Sequence, residues 1–145
     1  MIKILFVCLG NICRSPMAEF VMKDIVEKRG ASDRFLIDSA ATSAEEQGNP
    51  MHYGTRKKLT EKRIPFNNRY ARKILKSDYG KYDYIICMDR NNIRDLNAFF
   101  GGDRDGKISL LLTDRSVADP WYTGDFDKTY DDILHGCTAL ADRLL

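Results

Sequence analysis

No apolar run in this 145-residue chain approaches the roughly 18 residues that a membrane-crossing helix needs. Charge of one sign is also missing in bulk: 23 basic residues stand against 21 acidic ones, so no field points to DNA or to an anionic membrane surface. Paired metal-ligand motifs are absent. The four cysteines are Cys8, Cys13, Cys87 and Cys137, and only the first two are close together, while His52 and His135 belong to no ligand pattern. No structural zinc and no other metal or cofactor is therefore expected. The opening MIKILFVCLG is too short for a secretory signal and lacks a small-residue cleavage site. The expected location is the cytoplasm, where thiols stay reduced. The length suits one domain with one continuous core, over residues 1–145.

What is present is an alternation of two kinds of element. Ile2 to Val7 reads as a strand buried on both faces, and Ala18, Val21, Met22, Ile25 and Val26 follow at helical spacing. The pattern recurs with Phe35 to Ser39 before a helix over 49–59, with YDYIICM before NNIRDLNAFF, and with KISLLL before a last helix. On that last helix Phe126, Tyr130, Ile133, Leu134, Cys137, Leu140 and Leu144 share one face. The expectation is a three-layer α/β fold: a four-stranded parallel sheet with helices on both faces. Ser15 before Pro16 and Asn49 before Pro50 read as helix N-caps. Ligands of such sheets bind beyond the carboxyl ends of the strands. The loop after the first strand is at such an end.

That loop reads CLGNICRS, residues 8–15. Its backbone N–H groups lead into a helix start, which makes a cradle for a tetrahedral oxyanion, and Gly10 is expected to permit the turn. The phosphate-binding set is thus Leu9, Gly10, Asn11, Ile12, Cys13, Arg14 and Ser15, with the Arg14 fork holding two phosphoryl oxygens. G-K-[ST] and a magnesium carboxylate are missing, which argues against a nucleotide loop. A thiol, Cys8, sits at the base instead. An arginine, a helix N-terminus and a nearby hydroxyl all favour the thiolate, and a thiolate under a phosphate cradle attacks phosphorus. Cys87 and Cys137 read as small core hydrophobes.

CLGNICRSP resembles the C-x₅-R-S phosphate loop of the low-molecular-weight protein tyrosine phosphatases. DSAATS at 38–43, GNP at 48–50, YDYIICMD at 82–89 and DPW at 119–121 extend the resemblance, in order, over nearly the whole chain. It implies a protein tyrosine phosphatase working through a phosphocysteine on Cys8, with Arg14 binding the phosphoryl group and Asp119 as general acid and then base. On the residues alone, the Asp119-Pro120 pair could equally start a turn. The resemblance also implies that Asn11 and Ser39 brace the loop, that Ser15 hydrogen-bonds the Cys8 sulfur, and that Asp89 lies near the site. Asn11 could instead serve a left-handed turn, Ser39 a strand end, and Asp89 a helix N-cap. Expected substrates are phosphotyrosine proteins or small aryl phosphates, and a monomer is favoured.

Two departures concern recognition. Where the family commonly has a rim aromatic this chain has Ala44, Glu45, Glu46 and Gln47, and the position after Asp-Pro, often tyrosine, is Trp121. The substrate wall is read as Glu45, Trp121 and Tyr122, with carboxylates that disfavour acidic peptides. Arg69 stands where many relatives have a buried histidine. Arsenate reductases share the loop but need a further reactive cysteine pair, phosphocarrier subunits must retain their phosphate, and a non-catalytic phosphate binder would not need Cys8, Arg14 and Asp119 together. Cys8 and Cys13 form a redox pair in this reading: a loop curled round an anion can bring them within the Cα separation of about 4.4–6.8 Å that a disulfide accepts.

Overall fold

A computed structural model describes all residues, 1–145. Four parallel strands, β1 (Ile2–Cys8), β2 (Phe35–Ala41), β3 (Tyr84–Cys87) and β4 (Ile108–Leu110), form one sheet in the order β2-β1-β3-β4. Six helices connect and cover it: α1 (Arg14–Lys28), α2 (Tyr53–Glu61), α3 (Asp78–Lys81), α4 (Arg90–Phe100), α5 (Pro120–Thr123) and α6 (Phe126–Leu144). The near-continuous apolar run of β1 follows from its central place, since side chains on both of its faces are buried. Ile4, Phe6 and Cys8 point into a core shared with α1, α2 and α6, whereas Leu5 and Val7 join Tyr79, Tyr82 and Leu96 beneath α3 and α4. Fully burying such a side chain contributes about 1.5–3 kcal/mol, so the two periodicities of the sequence select the three-layer arrangement.

The first crossover leaves β1 for β2 on one side and the next returns to β3 on the other. This order reversal beside β1 opens a crevice at the carboxyl end of the sheet. The loop 8–14 enters it.

Several boundaries differ from the sequence reading. α1 starts at Arg14, with Cys13 at the cap position and no side-chain cap, because the Ser15 hydroxyl is engaged by Cys8 and Asn11. Asn49 does not cap α2. Its backbone bonds Glu46 and Ala71, Pro50 pairs with Tyr70, and His52 caps the helix by accepting the Gly54 N–H at 3.0 Å on Nδ1. Leu134, placed on the apolar face of α6, is 37% exposed. Thr129 and Asp132, by contrast, are buried there.

Candidate active site

The loop after β1 is shaped by where its carbonyls go. Cys8 O accepts from Thr42 N at 3.0 Å, Leu9 O from Ser43 N at 3.1 Å, Ile12 O from His52 N at 2.9 Å and Cys13 O from the Thr55 hydroxyl at 3.3 Å. Asn11 O accepts from Arg69 Nη1 at 2.8 Å. In a planar trans peptide the N–H points opposite to the carbonyl. Tying these five carbonyls to the surrounding scaffold turns the N–H groups of Leu9, Gly10, Ile12, Cys13 and Arg14 toward the inside of the loop. The Asn11 N–H donates to Cys8 Sγ at 3.2 Å. The first turn of α1 carries no acidic residue, so no carboxylate competes for its amides.

Gly10 is not the residue that turns the loop. The left-handed conformation belongs to Asn11, at φ 58°, while a Cβ on Gly10 would lie 3.2 Å from the Glu46 side chain. A side chain at position 10 would press on Glu46. Left-handed backbone costs an ordinary residue about 1–2 kcal/mol, and Asn11 offsets this through its bonds. Its Nδ2 donates to Ser15 Oγ at 2.8 Å and to Ser39 Oγ at 3.0 Å, and its Oδ1 accepts from Arg69 and from Arg72 N. At about 0.5–1.5 kcal/mol each, and more from a charged donor, these exceed the conformational cost. The Ser39 hydroxyl in turn donates to Glu19 Oε1 at 2.6 Å. The pairing of Asn11 with Ser39 is thus present, and Arg69 occupies the bracing position in place of a histidine. Burial lowers the Arg69 pKa while Glu19 raises it, and arginine stays charged throughout.

Cys8 lies at the base, 3% exposed, with Ser15 Oγ 3.0 Å from its sulfur. Because Ser15 accepts from Asn11, its own proton is free for Cys8. Arg14 is 4% exposed and its guanidinium lies between two carboxylates, 2.9 Å from Asp89 Oδ2 and 3.3 Å from Asp119 Oδ2. Asp89 has both of its candidate positions at once, pairing Arg14 and capping α4 through a box with Asn92. Asp119 caps the short α5 by accepting the Trp121 N–H at 3.1 Å, in the extended backbone that a following proline imposes.

These groups surround a pocket of about 160 Å³ lined by Cys8, Leu9, Ile12, Arg14, Asp119 and Trp121 among others, with Glu45, Glu46 and Tyr122 at the mouth. That is below the roughly 300–1,000 Å³ of pockets that engulf a drug-sized ligand. Asn11 and Ser15, both wholly buried, lie behind the wall. Cys13 lines the pocket, but burial, then the Cys8 sulfur and Asp119, push its thiol up to about 12. Cys87 and Cys137 are fully buried, and burial raises both thiols. No three His, Cys, Asp or Glu side chains converge as metal ligands would, and no helix is long and apolar enough to cross a membrane.

Sequence reading missed Glu19 and His52. Glu19 is a lone acid on the buried face of α1, which was a usable signal. His52 gave none: it stacks on Phe126 at 5.3 Å, meets Trp121 edge-on at 6.1 Å and bonds the loop through its backbone.

The profile of the family "Low molecular weight phosphotyrosine protein phosphatase" matches residues 3–145. The low molecular weight protein-tyrosine-phosphatase YfkJ of Bacillus subtilis is 41% identical, over 97% of this chain and 94% of its own. The crystal structure of the low molecular weight protein tyrosine phosphatase of Streptococcus pyogenes superposes with a TM-score of 0.94 at 45% identity, covering 100% of this chain and 94% of that one. A Drosophila arginine phosphatase, 29% identical, superposes at 0.88, over 99% and 98% of the two chains. With its sequence matched almost end to end and its fold superposing over the whole chain, the chain belongs to the low molecular weight phosphotyrosine protein phosphatase family.

Proposed function

We propose that the chain is a metal-independent, cysteine-dependent protein tyrosine phosphatase whose reaction passes through a phosphocysteine on Cys8. The observation that carries this is the joint placement of a buried sulfur under inward-facing amides and an arginine bonded to Asp119. The phosphoryl oxygens take the loop N–H groups and the Arg14 fork, while Asp89 holds Arg14 from behind. Cys8 attacks phosphorus as Asp119 gives its proton to the departing phenolate oxygen. Asp119 then takes a proton from the water that cleaves the phosphorus–sulfur bond, and the Ser15 hydroxyl supports the sulfur as it leaves. Asn11, Ser15 and Ser39 hold the loop in register.

Pocket shape favours aryl phosphates. Cys8 lies at the bottom, and Trp121 and Tyr122 rise exposed at the rim, so a phosphate must be carried in on a long, flat group. Leu9 and Ile12 offer an apolar wall against which a ring can lie. Cys87, buried in β3, is no candidate for an arsenate relay. Glu45 and Glu46 at the mouth disfavour peptides with acidic residues beside the phosphotyrosine. The activity is read as that of one domain, residues 1–145, working as a cytoplasmic monomer without cofactor. Turnover of phosphotyrosine, phosphoserine, phosphoarginine and arsenate, measured side by side, tests it. Phosphotyrosine should be hydrolysed far faster than phosphoserine or phosphoarginine, and far faster than arsenate is reduced with an added dithiol as electron donor, and equal or faster turnover of any of them would overturn the assignment.

Cys13 is read as a resolving thiol. Its raised pKa keeps it protonated at neutral pH, so it does not compete as nucleophile. Peroxide would convert the Cys8 thiolate to a sulfenic acid, whose sulfur is the electrophile. The Cys13 sulfur then displaces water and the disulfide forms. Peroxide inactivation should be reversed by dithiothreitol, and Cys13→Ser should keep basal turnover but recover poorly. Recovery of the variant equal to wild type would leave Cys13 a packing residue.

A further inference from the structure

The acid segment is fastened to the scaffold at the two residues before Asp119. Val117 N donates to Met88 O at 2.9 Å, beyond the end of β3, and Val117 O accepts from Arg14 Nη1 at 3.3 Å. Ala118 is held only by side chains of α6. Its N–H donates to Asp132 Oδ2 at 3.0 Å, and its carbonyl accepts from the Thr129 hydroxyl at 2.8 Å. Thr129 is fully buried and Asp132 is 2% exposed, and neither lines the pocket. Both backbone polar groups of Ala118, the residue before Asp119, are therefore fixed by two residues one helical turn apart.

We propose that Thr129 and Asp132 are positioning residues for the general acid, a reading that rests on Asp119 having that role. Arg115, at 2.8 Å, and Lys128, at 3.2 Å, flank the Asp132 carboxylate. Burial alone would raise its pKa, but the Ala118 N–H and these two cations together bring it below the ordinary range. It thus stays an acceptor across the working pH range. The clamp places the Asp119 backbone before substrate arrives. A displacement of about 1 Å at such a group can cost on the order of a hundredfold in rate.

The test is kcat/KM for a series of aryl phosphates whose leaving phenols differ in pKa, measured for wild type, Asp119→Asn, Thr129→Val, Thr129→Ser and Asp132→Leu, the last of which removes the acceptor of the Ala118 N–H. All four changes are close in shape to the native residue. Inorganic phosphate inhibition reports in parallel on the Cys8 loop. Thr129→Val and Asp132→Leu should slow the poorest leaving groups by roughly tenfold or more, up to the about 10²–10⁴ that general acid catalysis supplies. They should leave the best leaving groups and phosphate inhibition near wild type. Thr129→Ser should restore the wild-type slope, and combining either change with Asp119→Asn should add no further steepening. Losses equal across the series, or accompanied by lost phosphate inhibition, would overturn the positioning role in favour of a merely structural one. A flat response of Asp119→Asn itself would instead remove the acid on which the proposal rests.

Discussion

Replacing Cys8 by serine is expected to abolish turnover while leaving phosphate and vanadate binding within a few-fold of wild type. The substitution exchanges a sulfur that is an effective nucleophile and a good leaving group for an oxygen that is neither at neutral pH. A loss of roughly 10⁶-fold in kcat is the scale seen when a nucleophile is removed from a site whose groups act as a unit. Binding should survive because the cradle is made elsewhere. Its N–H groups are turned inward by carbonyl bonds to Thr42, Ser43, His52, Thr55 and Arg69, and Arg14 is held by Asp89. The measurement is steady-state turnover of p-nitrophenyl phosphate alongside titration with phosphate. Substantial activity in the variant would remove Cys8 from the nucleophile role.

Asp119→Asn is expected to have an effect that depends on the substrate. Asparagine keeps the shape, and its side-chain oxygen can still accept the Trp121 N–H, but it carries no proton to give. For phosphate esters of weakly acidic alcohols and phenols, kcat/KM should fall by about 10²–10⁴, the usual contribution of a general acid. For esters with leaving groups that depart unaided the fall should be small. The change also weakens the 3.3 Å contact with Arg14, and that part should appear as a uniform shift in all substrates and in phosphate inhibition. The slope against leaving-group pKa isolates the proton. An unchanged slope would take the acid role from Asp119.

The sheet and the loop could be read from the sequence because their signals are local. β1 is apolar from Ile4 onward since both of its faces are buried, and Cys8 to Ser15 carry the anion chemistry in one stretch. Helix starts were less legible. A serine or asparagine before proline suggests a cap, yet the Ser15 hydroxyl belongs to Cys8 and Asn11, and the backbone of Asn49 pairs with the strand-like segment around Ala71. At Asn49 local propensity was overridden by a partner far away in the chain. The same distance hid the bracing and positioning residues. Arg69 is 58 residues from Asn11, and Thr129 and Asp132 reach Ala118 from the next helix but one in the chain. A glycine in a loop suggests a conformational role, whereas the left-handed turn here is taken by its neighbour Asn11 and Gly10 lies close against the Glu46 side chain.

The central claim is the covalent intermediate, and rapid acid quenching during turnover of an aryl phosphate, followed by peptide mass spectrometry, addresses it most directly. A phosphoryl group should be found on the peptide carrying Cys8, on that cysteine and not on Cys13, and it should be absent from Cys8→Ser. A protein that turns over substrate under these conditions with no phosphoryl group on Cys8, or with the group on another residue, would contradict the account.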